Sequence, residues 1–251
     1  MDRVGADFYE VYKQINEKLQ TRPIPIQLPV GTEDNFQGVV DLISQKALIF
    51  TDKMGAEYIE QEVPEDMKDL VSEYRVQMIE AAAEANDDLM LKYLEGEELS
   101  EKEIIQGLRE QTIANKIVPM LCGTSLKNKG VQPLLDAVVE LLPSPLEVPP
   151  VVGVSPETGA DDERKSSIDE PFSALAFKVA TDPYVGRLTF IRIYSGILSS
   201  GSYVYNSSSG KKERIGRLVQ MHSNSRKEID EAQAGDIAAA IGLKNTGTGD
   251  T

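Results

Sequence analysis

Few of the 251 residues combine a reactive type with a spacing that could do chemistry. The stretch Lys116-Ile117-Val118-Pro119-Met120-Leu121-Cys122-Gly123-Thr124-Ser125-Leu126-Lys127-Asn128-Lys129-Gly130 starts as a short apolar run of the kind that makes a buried strand. It then breaks into a small, polar, glycine-flanked loop and leads into a helical pattern, Val131 to Leu142. In an open parallel sheet the loop after a strand's carboxyl end is where ligands sit. The other candidates are weaker. Gly196 and Gly201 have the glycine spacing of a phosphate loop, but Ser202-Tyr203 stands where lysine and a hydroxyl are required. His222, the single histidine, has no neighbour with which to share a metal and reads as structural or solvent-exposed. Cys122, the single cysteine, reads as a small buried residue rather than a nucleophile. Asn206-Ser207-Ser208 fits a glycosylation sequon that a cytosolic chain does not use. No complete catalytic set is present.

The elements that would position these residues follow from hydrophobic period. Phe8, Val11, Tyr12, Ile15 and Leu19 share one helical face, with Asp7 and Glu10 as a capping pair. This helix is expected to pack beside the one from Val131, on a common sheet. Thr21 to Val30 mixes proline with apolar residues and reads as an edge strand or extended segment. Strand-like runs at Val39-Val40 and Ala47 to Phe50 precede a turn at Asp52-Lys53-Met54-Gly55 and a returning strand at Glu57-Tyr58-Ile59. Glu65 to Leu94 reads as helical, with Val71, Tyr74 and Met78 on one face and an alanine patch at 81–83. Ser100 and Glu103 make a capping box for a further helix.

Proline, glycine and polar residues from Pro143 through Pro156 to Glu170 read as a linker, with a domain boundary near 165. Beyond it, Ser173 to Ala180, Arg187 to Tyr194, Tyr203 to Asn206, Lys212 to Met221 and Asp236 to Ile241 are short β-rich runs separated by turn signals. They suggest a small closed or nearly closed β-barrel.

Charge divides the chain as sharply as pattern does. The net charge of −15 resolves into −18 for residues 1–170 and +3 for 171–251, so the halves face different partners. Residues 60–103 hold 15 acidic side chains against four basic ones, which is either a solvated helix face or a docking surface for a basic protein; nucleic acid would be repelled there. The barrel half clusters Lys211, Lys212, Arg214, Arg217, Arg226 and Lys227, either plain solvated charge or a surface for rRNA or other phosphate. No apolar run approaches a membrane span, no signal-peptide layout is present, and one cysteine excludes a disulfide framework. A reducing cytoplasm and no membrane contact are the expectation.

Five segments, in order, resemble the bacterial elongation factor G family: Met1 to Phe8, Cys122 to Val131, Leu142-Pro143-Ser144-Pro145, Glu170 to Lys178 and Ala234 to Leu243. The resemblance implies an internal fragment of a translational GTPase. The fold class implied is an α/β remnant of a P-loop GTPase domain (1–23 and 116–145) carrying an inserted α+β subdomain (24–115). A linker (146–167) and an all-β translation-factor barrel (168–251) follow. It also implies that Asp2 is the last residue of the family's Asn-Lys-Met-Asp guanine motif. A carboxylate there can accept from the ring N–H and the exocyclic amine of guanine together, a contact adenine cannot match. Thr124, Ser125 and Leu126 stand where the family has Ser-Ala-Leu or Ser-Ala-Phe. Their small size lets the base approach backbone N–H groups that donate to the guanine oxygen, with Ser125 supplying one.

The resemblance further implies GTP or GDP with Mg in the intact parent, protein-synthesis elongation as the process, and the ribosome as partner. The stalk protein's C-terminal domain would meet the acidic 60–103 region, and small-subunit rRNA would lie near the barrel. The 251 residues alone are expected neither to bind nor to hydrolyse GTP, since the phosphate loop, switches and magnesium ligands of the family have no counterpart in them. A recycling or ribosome-protection relative, or a non-enzymatic ribosome-binding module, is the alternative reading.

Overall fold

The structure, a computed structural model, describes all residues except 53, 156, 157 and 224. Lys53 of the expected turn and Pro156 of the expected linker therefore lie outside the described residues. The chain forms two compact units, Met1–Leu142 and Pro143–Thr251.

In the first unit, α1 (Phe8–Leu19) starts where Asp7 Oδ1 accepts from the Tyr9 and Glu10 N–H groups at 2.9 and 3.0 Å. Such a cap satisfies donors that the first helical turn leaves unpaired. Strands β1 (Pro23–Pro25), β2 (Gln27–Val30), β3 (Gly38–Asp41), β4 (Lys46–Phe50) and β5 (Tyr58–Glu62) follow, then α2 (Lys68–Ala83), α3 (Asp87–Leu94), α4 (Glu101–Ile113), β6 (Val118–Met120) and α5 (Val131–Leu141). β1 pairs in parallel with β6, placing Pro23 opposite Val118 and Pro25 opposite Met120. β2 to β5 form an antiparallel sheet in chain order, in which proline-bearing β2 is an edge as its composition requires.

One core joins these parts. Leu28, Val40 and Leu42 from the sheet meet Met78 and the alanine patch of α2 and Ile104 and Leu108 of α4. The capping box of α4 is present, with Ser100 and Glu103 bonded reciprocally.

Two expectations need correction here. The helical pattern of 65–94 is broken: α2 ends at Ala83 and α3 restarts behind Asn86, whose Oδ1 accepts from the Leu89 N–H at 3.1 Å. A side chain that caps competes with helix continuation. The helices at the two ends of the unit also choose different partners. α1 packs on β1 and sets Tyr9 and Tyr12 against Tyr74 of α2, with ring centroids 6.0 and 5.9 Å apart, while α5 packs on α4, where Arg109 donates to the Glu140 carbonyl at 2.6 Å. The stripe on α1 is only partly used, since Val11 and Leu19 stay exposed.

The second unit begins with a hairpin inside the expected linker, β7 (Val151–Val154) against β8 (Asp161–Arg164). Its valines face solvent, so burial gave no period-2 signal to read. Strands β9 (Ser173–Asp182), β10 (Gly186–Ser195), β11 (Ile197–Ser199), β12 (Tyr203–Asn206), β13 (Lys211–Arg214), β14 (Arg217–His222), β15 (Ser225–Ile229), β16 (Glu231–Gln233) and β17 (Ile237–Ile241) complete it. Five of them form one sheet in the order β15-β14-β17-β10-β9, and β11 with β16 and β12 with β13 close over it as two-stranded ribbons. Ile193, Leu198, Ile215, Leu218 and Ala240 fill the interior. The expected strand Lys212 to Met221 is two strands, bent at Ile215-Gly216, where Gly216 donates to the Ile241 carbonyl at 2.8 Å.

Candidate functional site

The loop after β6 is a tight, self-bonded turn. Thr124 and Lys129 exchange backbone hydrogen bonds at 2.9 and 3.1 Å, and the Asn128 N–H donates to the Ser125 carbonyl at 3.2 Å, with Asn128 in the left-handed region. Ser125 and Leu126 project from the turn into solvent, and among the described residues the Ser125 N–H has no acceptor. Thr124 is buried, and its hydroxyl makes no hydrogen bond of ordinary geometry. A buried polar atom so poorly paired asks for an explanation, and a ligand's polar edge is one.

The N-terminal loop reaches this turn from 122 positions away. The Met1 amino nitrogen donates to the Gly123 carbonyl at 2.7 Å, and Asp2 Oδ2 lies 3.4 Å from Lys127 Nζ. The Thr124 hydroxyl and then Lys127 hold the Asp2 carboxyl below the usual carboxylate range, so it is a charged acceptor at neutral pH. The N-terminal loop is steadied from its other side by Glu33. That residue's N–H donates to the Met1 carbonyl at 3.0 Å, and its Oε1 accepts from the Gly5 N–H at 2.7 Å.

Of the four residues singled out in the sequence, Asp2 and Thr124 come together, and Ser125 and Leu126 follow Thr124 in the same turn with their side chains in solvent. A carboxylate, a buried hydroxyl and an unpartnered N–H occur at this turn, a donor and acceptor set of the kind that suits a planar heterocycle presenting both an oxygen acceptor and adjacent N–H donors. Glu33, Gly55 and Gln132, which bond the two loops, carry no sequence signal that ties them to Asp2 or Thr124.

The remaining candidates do not assemble. Cys122 lies past the end of β6, not on it, with burial pushing its thiol up to about 12, far from thiolate reactivity. His222 is exposed, and among the described residues no group of three metal-capable side chains occurs. Gly196 turns β10 into β11 with no helix behind it, and Asn206 is buried, donating to Thr246 Oγ1 and Asp250 Oδ2 at 3.2 and 2.9 Å. A cavity of about 720 Å³ lies in the second unit beside Phe172, Leu198 and Ile215, lined mainly by apolar groups. Its one close charge pair, Asp162 with Arg164, is self-satisfied.

Of the six basic barrel residues, Arg217 is paired with Glu228 at 2.7 Å and Arg226 with Asp182 at 2.6 Å. Register sets Tyr203 opposite Arg214 and Tyr205 opposite Lys212. Tyr203 and Tyr205 are exposed, and Lys212 Nζ sits 5.1 Å above the Tyr203 ring. That face interleaves two aromatic rings with two cations, a composition suited to stacked bases and phosphate.

The sequence profile described as Elongation factor Tu GTP binding domain matches residues 1–144, and that described as Elongation factor Tu domain 2 matches 186–251. The chain belongs to the elongation factor Tu GTP-binding domain family. It also resembles a Thermus thermophilus protein of known crystal structure, at 27% identity and a TM-score of 0.75, over 98% of this chain and 34% of the other. The chain thus spans about a third of that protein's length. The pairing of an elongation factor Tu-type GTP-binding domain with a domain 2 barrel matches the two units, and no helix among the described residues is long and apolar enough to cross a membrane. The family is that of a GTP-binding domain, which implies GTP with Mg in the intact parent. Among the described residues no group of three metal-capable side chains is present to hold that Mg.

Proposed function

We propose that the chain forms part of an elongation factor G-type translational GTPase, the factor that drives ribosomal translocation, and that its own contribution to nucleotide binding is to read guanine. The observation that carries this is the convergence of Asp2 with Thr124 and Ser125. Asp2 accepts from the ring N–H and exocyclic amine of guanine, and the Ser125 N–H donates to the guanine oxygen. Leu126 shields the edge of the base. Elongation factor G, rather than another family member, is favoured by the five sequence segments and by the build between β1 and β6. These strands are neighbours, yet the 92 or so positions between them form a separate four-stranded sheet and three helices, as an inserted subdomain of about 24–115 would.

Two partners fit the surfaces. In the 60–103 region Lys68 and Lys92 are engaged by Glu65 and Glu103, and Arg75 turns inward to the Leu42 and Ile43 carbonyls. Asp87, Asp88, Glu95, Glu97 and Glu98 are left outward-facing, which suits a basic domain such as that of the ribosomal stalk protein. The Tyr203, Tyr205, Lys212 and Arg214 face of the barrel suits small-subunit rRNA. The protein would work in the cytoplasm, on the ribosome.

The test is nucleotide binding by the full-length protein that contains these residues. Asp2→Ala is expected to weaken GDP on the order of a hundredfold while leaving ADP, already poor, unchanged. Equal loss for both nucleotides, or none, overturns the reading.

A further inference from the structure

We propose that the four-stranded sheet β2–β5 is the positioning element of the guanine site, with Glu33 setting the Asp2 side and Gly55 setting the Ser125 side; this rests on the guanine reading above. Neither residue would touch a base. Each holds a loop that does.

Three contacts carry the inference. At the β2–β3 end, Glu33 bonds the N-terminal loop twice, through its own N–H to the Met1 carbonyl and through Oε1 from Gly5, on both sides of Asp2. In the same connection the Phe36 carbonyl accepts from Lys129 Nζ at 3.3 Å. At the β4–β5 end the Gly55 carbonyl accepts from Asn128 Nδ2 at 3.2 Å and Gln132 Nε2 at 2.7 Å. Gly55 has φ +61, and a β-carbon there would lie 2.5 Å from the Lys127 carbonyl oxygen and 2.6 Å from the Asn128 carbonyl carbon. The hairpin tip and the base-reading turn therefore meet backbone to backbone, at a distance only glycine allows. Asp52 fixes the tip, its carboxylate accepting from the Met54 and Glu57 N–H groups at 2.9 and 3.1 Å. Both sides of the site are thus registered to one sheet, and a displacement of that sheet changes the spacing between carboxylate and N–H. Recognition by two converging groups tolerates little such change.

The two ends make separable predictions, because inosine lacks the exocyclic amine of guanine but keeps its oxygen. In the full-length protein, Glu33→Ala loosens the Asp2 side and should cut the GDP over IDP preference about tenfold. Glu33→Gln, which keeps an acceptor oxygen, should restore it. Gly55→Ala shifts the Ser125 side and should weaken GDP and IDP alike, again about tenfold, narrowing GDP over ADP. Gly96→Ala is the control for strain alone, since Gly96 has φ +77 but nothing within 4 Å of a β-carbon. Amide exchange in the 251-residue chain supplies a second readout should Gly55→Ala fold poorly: Asn128→Asp, which loses the donor to Gly55, should speed exchange at Thr124, Asn128 and Lys129 several-fold without altering α4. If the unsubstituted protein fails to bind GDP, the guanine reading itself falls. If it binds GDP and the Glu33 and Gly55 variants bind all nucleotides as it does, only the positioning role falls. Faster exchange with unchanged nucleotide preference also overturns that role, reducing the contacts to fold stability.

Discussion

Gly107 of α4 lies against the backbone of Ala82 of α2 so closely that a β-carbon at 107 would overlap the Ala82 carbonyl oxygen and sit 2.9 Å from its carbon. Helix propensity alone favours alanine over glycine by about 1 kcal/mol. Overpacking a tight contact costs about 1–3 kcal/mol, and here the obstacle is backbone rather than a flexible side-chain end. Overpacking should win. Gly107→Ala is expected to destabilise the first unit, read as a lower urea midpoint, whereas the same change at an open helical site would raise it.

Glu103 offers a pH test. Lys92, then Ser100, pull its carboxyl down to about 2. A carboxylate with a folded value below its unfolded one contributes stability that is fully present above about 4.5 and lost as pH falls towards 2. Glu103→Gln should therefore be less stable than the parent chain near neutrality, and the gap should close between pH 4.5 and 2. Urea unfolding at several pH values reads it. A gap that stays constant would exclude the ion pair and capping box as its source.

The buried hydroxyl of Thr124, whose contact with the Asp2 carboxylate falls short of ordinary hydrogen-bond geometry, predicts an unusual outcome for a site residue. Thr124→Val removes a polar atom from burial while keeping shape, and should be neutral to about 1 kcal/mol stabilising in denaturant unfolding. The Asp2 carboxyl should rise towards its ordinary value, because the first cause of its depression is gone. A loss above 1 kcal/mol would mean that the contact with the Asp2 carboxylate stabilises the fold.

Binding of a basic ribosomal stalk domain to the 60–103 face should weaken several-fold between low and high salt, because exposed charges interact over a Debye length of about 10 Å at 0.1 M. Charge reversal at Asp87 and Asp88 should reproduce the loss at low salt. Affinity indifferent to salt would point to an apolar contact instead.

A polypeptide of these 251 residues alone should show no saturable GTP or GDP binding by calorimetry, because base contacts without phosphate contacts bury little of the ligand. Micromolar binding would overturn that.

What the sequence revealed and what it concealed separate along one line. Asp7, the Ser100–Glu103 box, β3, β4 and β12 were legible because each is set by neighbours within a turn or a pleat. Asn86 was missed because helical periodicity runs on through it, and β7 and β8 because an exposed hairpin owes nothing to burial. In the site, the loop at Thr124 to Leu126 and the carboxylate of Asp2 announced themselves by motif. Glu33 and Gly55 could not, since the groups they bond lie 28 and 73 positions away along the chain. Sequence pattern reports what a residue is beside along the chain, and these two matter for what they are beside in space.

The junction of Gly55 with Asn128 also bears on the order in which the protein can be made. During synthesis the β4–β5 hairpin emerges some 70 residues before the turn it supports. The hairpin and its sheet can fold on local pairings, whereas the turn after β6 can settle only against a tip already in place, so a contact of such long range closes late. A slip in the hairpin's register would therefore leave most of the first unit native in outline while denying it a finished base pocket. Ligand-binding competence would then lag behind compactness, and a pulse-labelled chain should acquire protection in α2 and α4 before it does at Thr124 and Lys129.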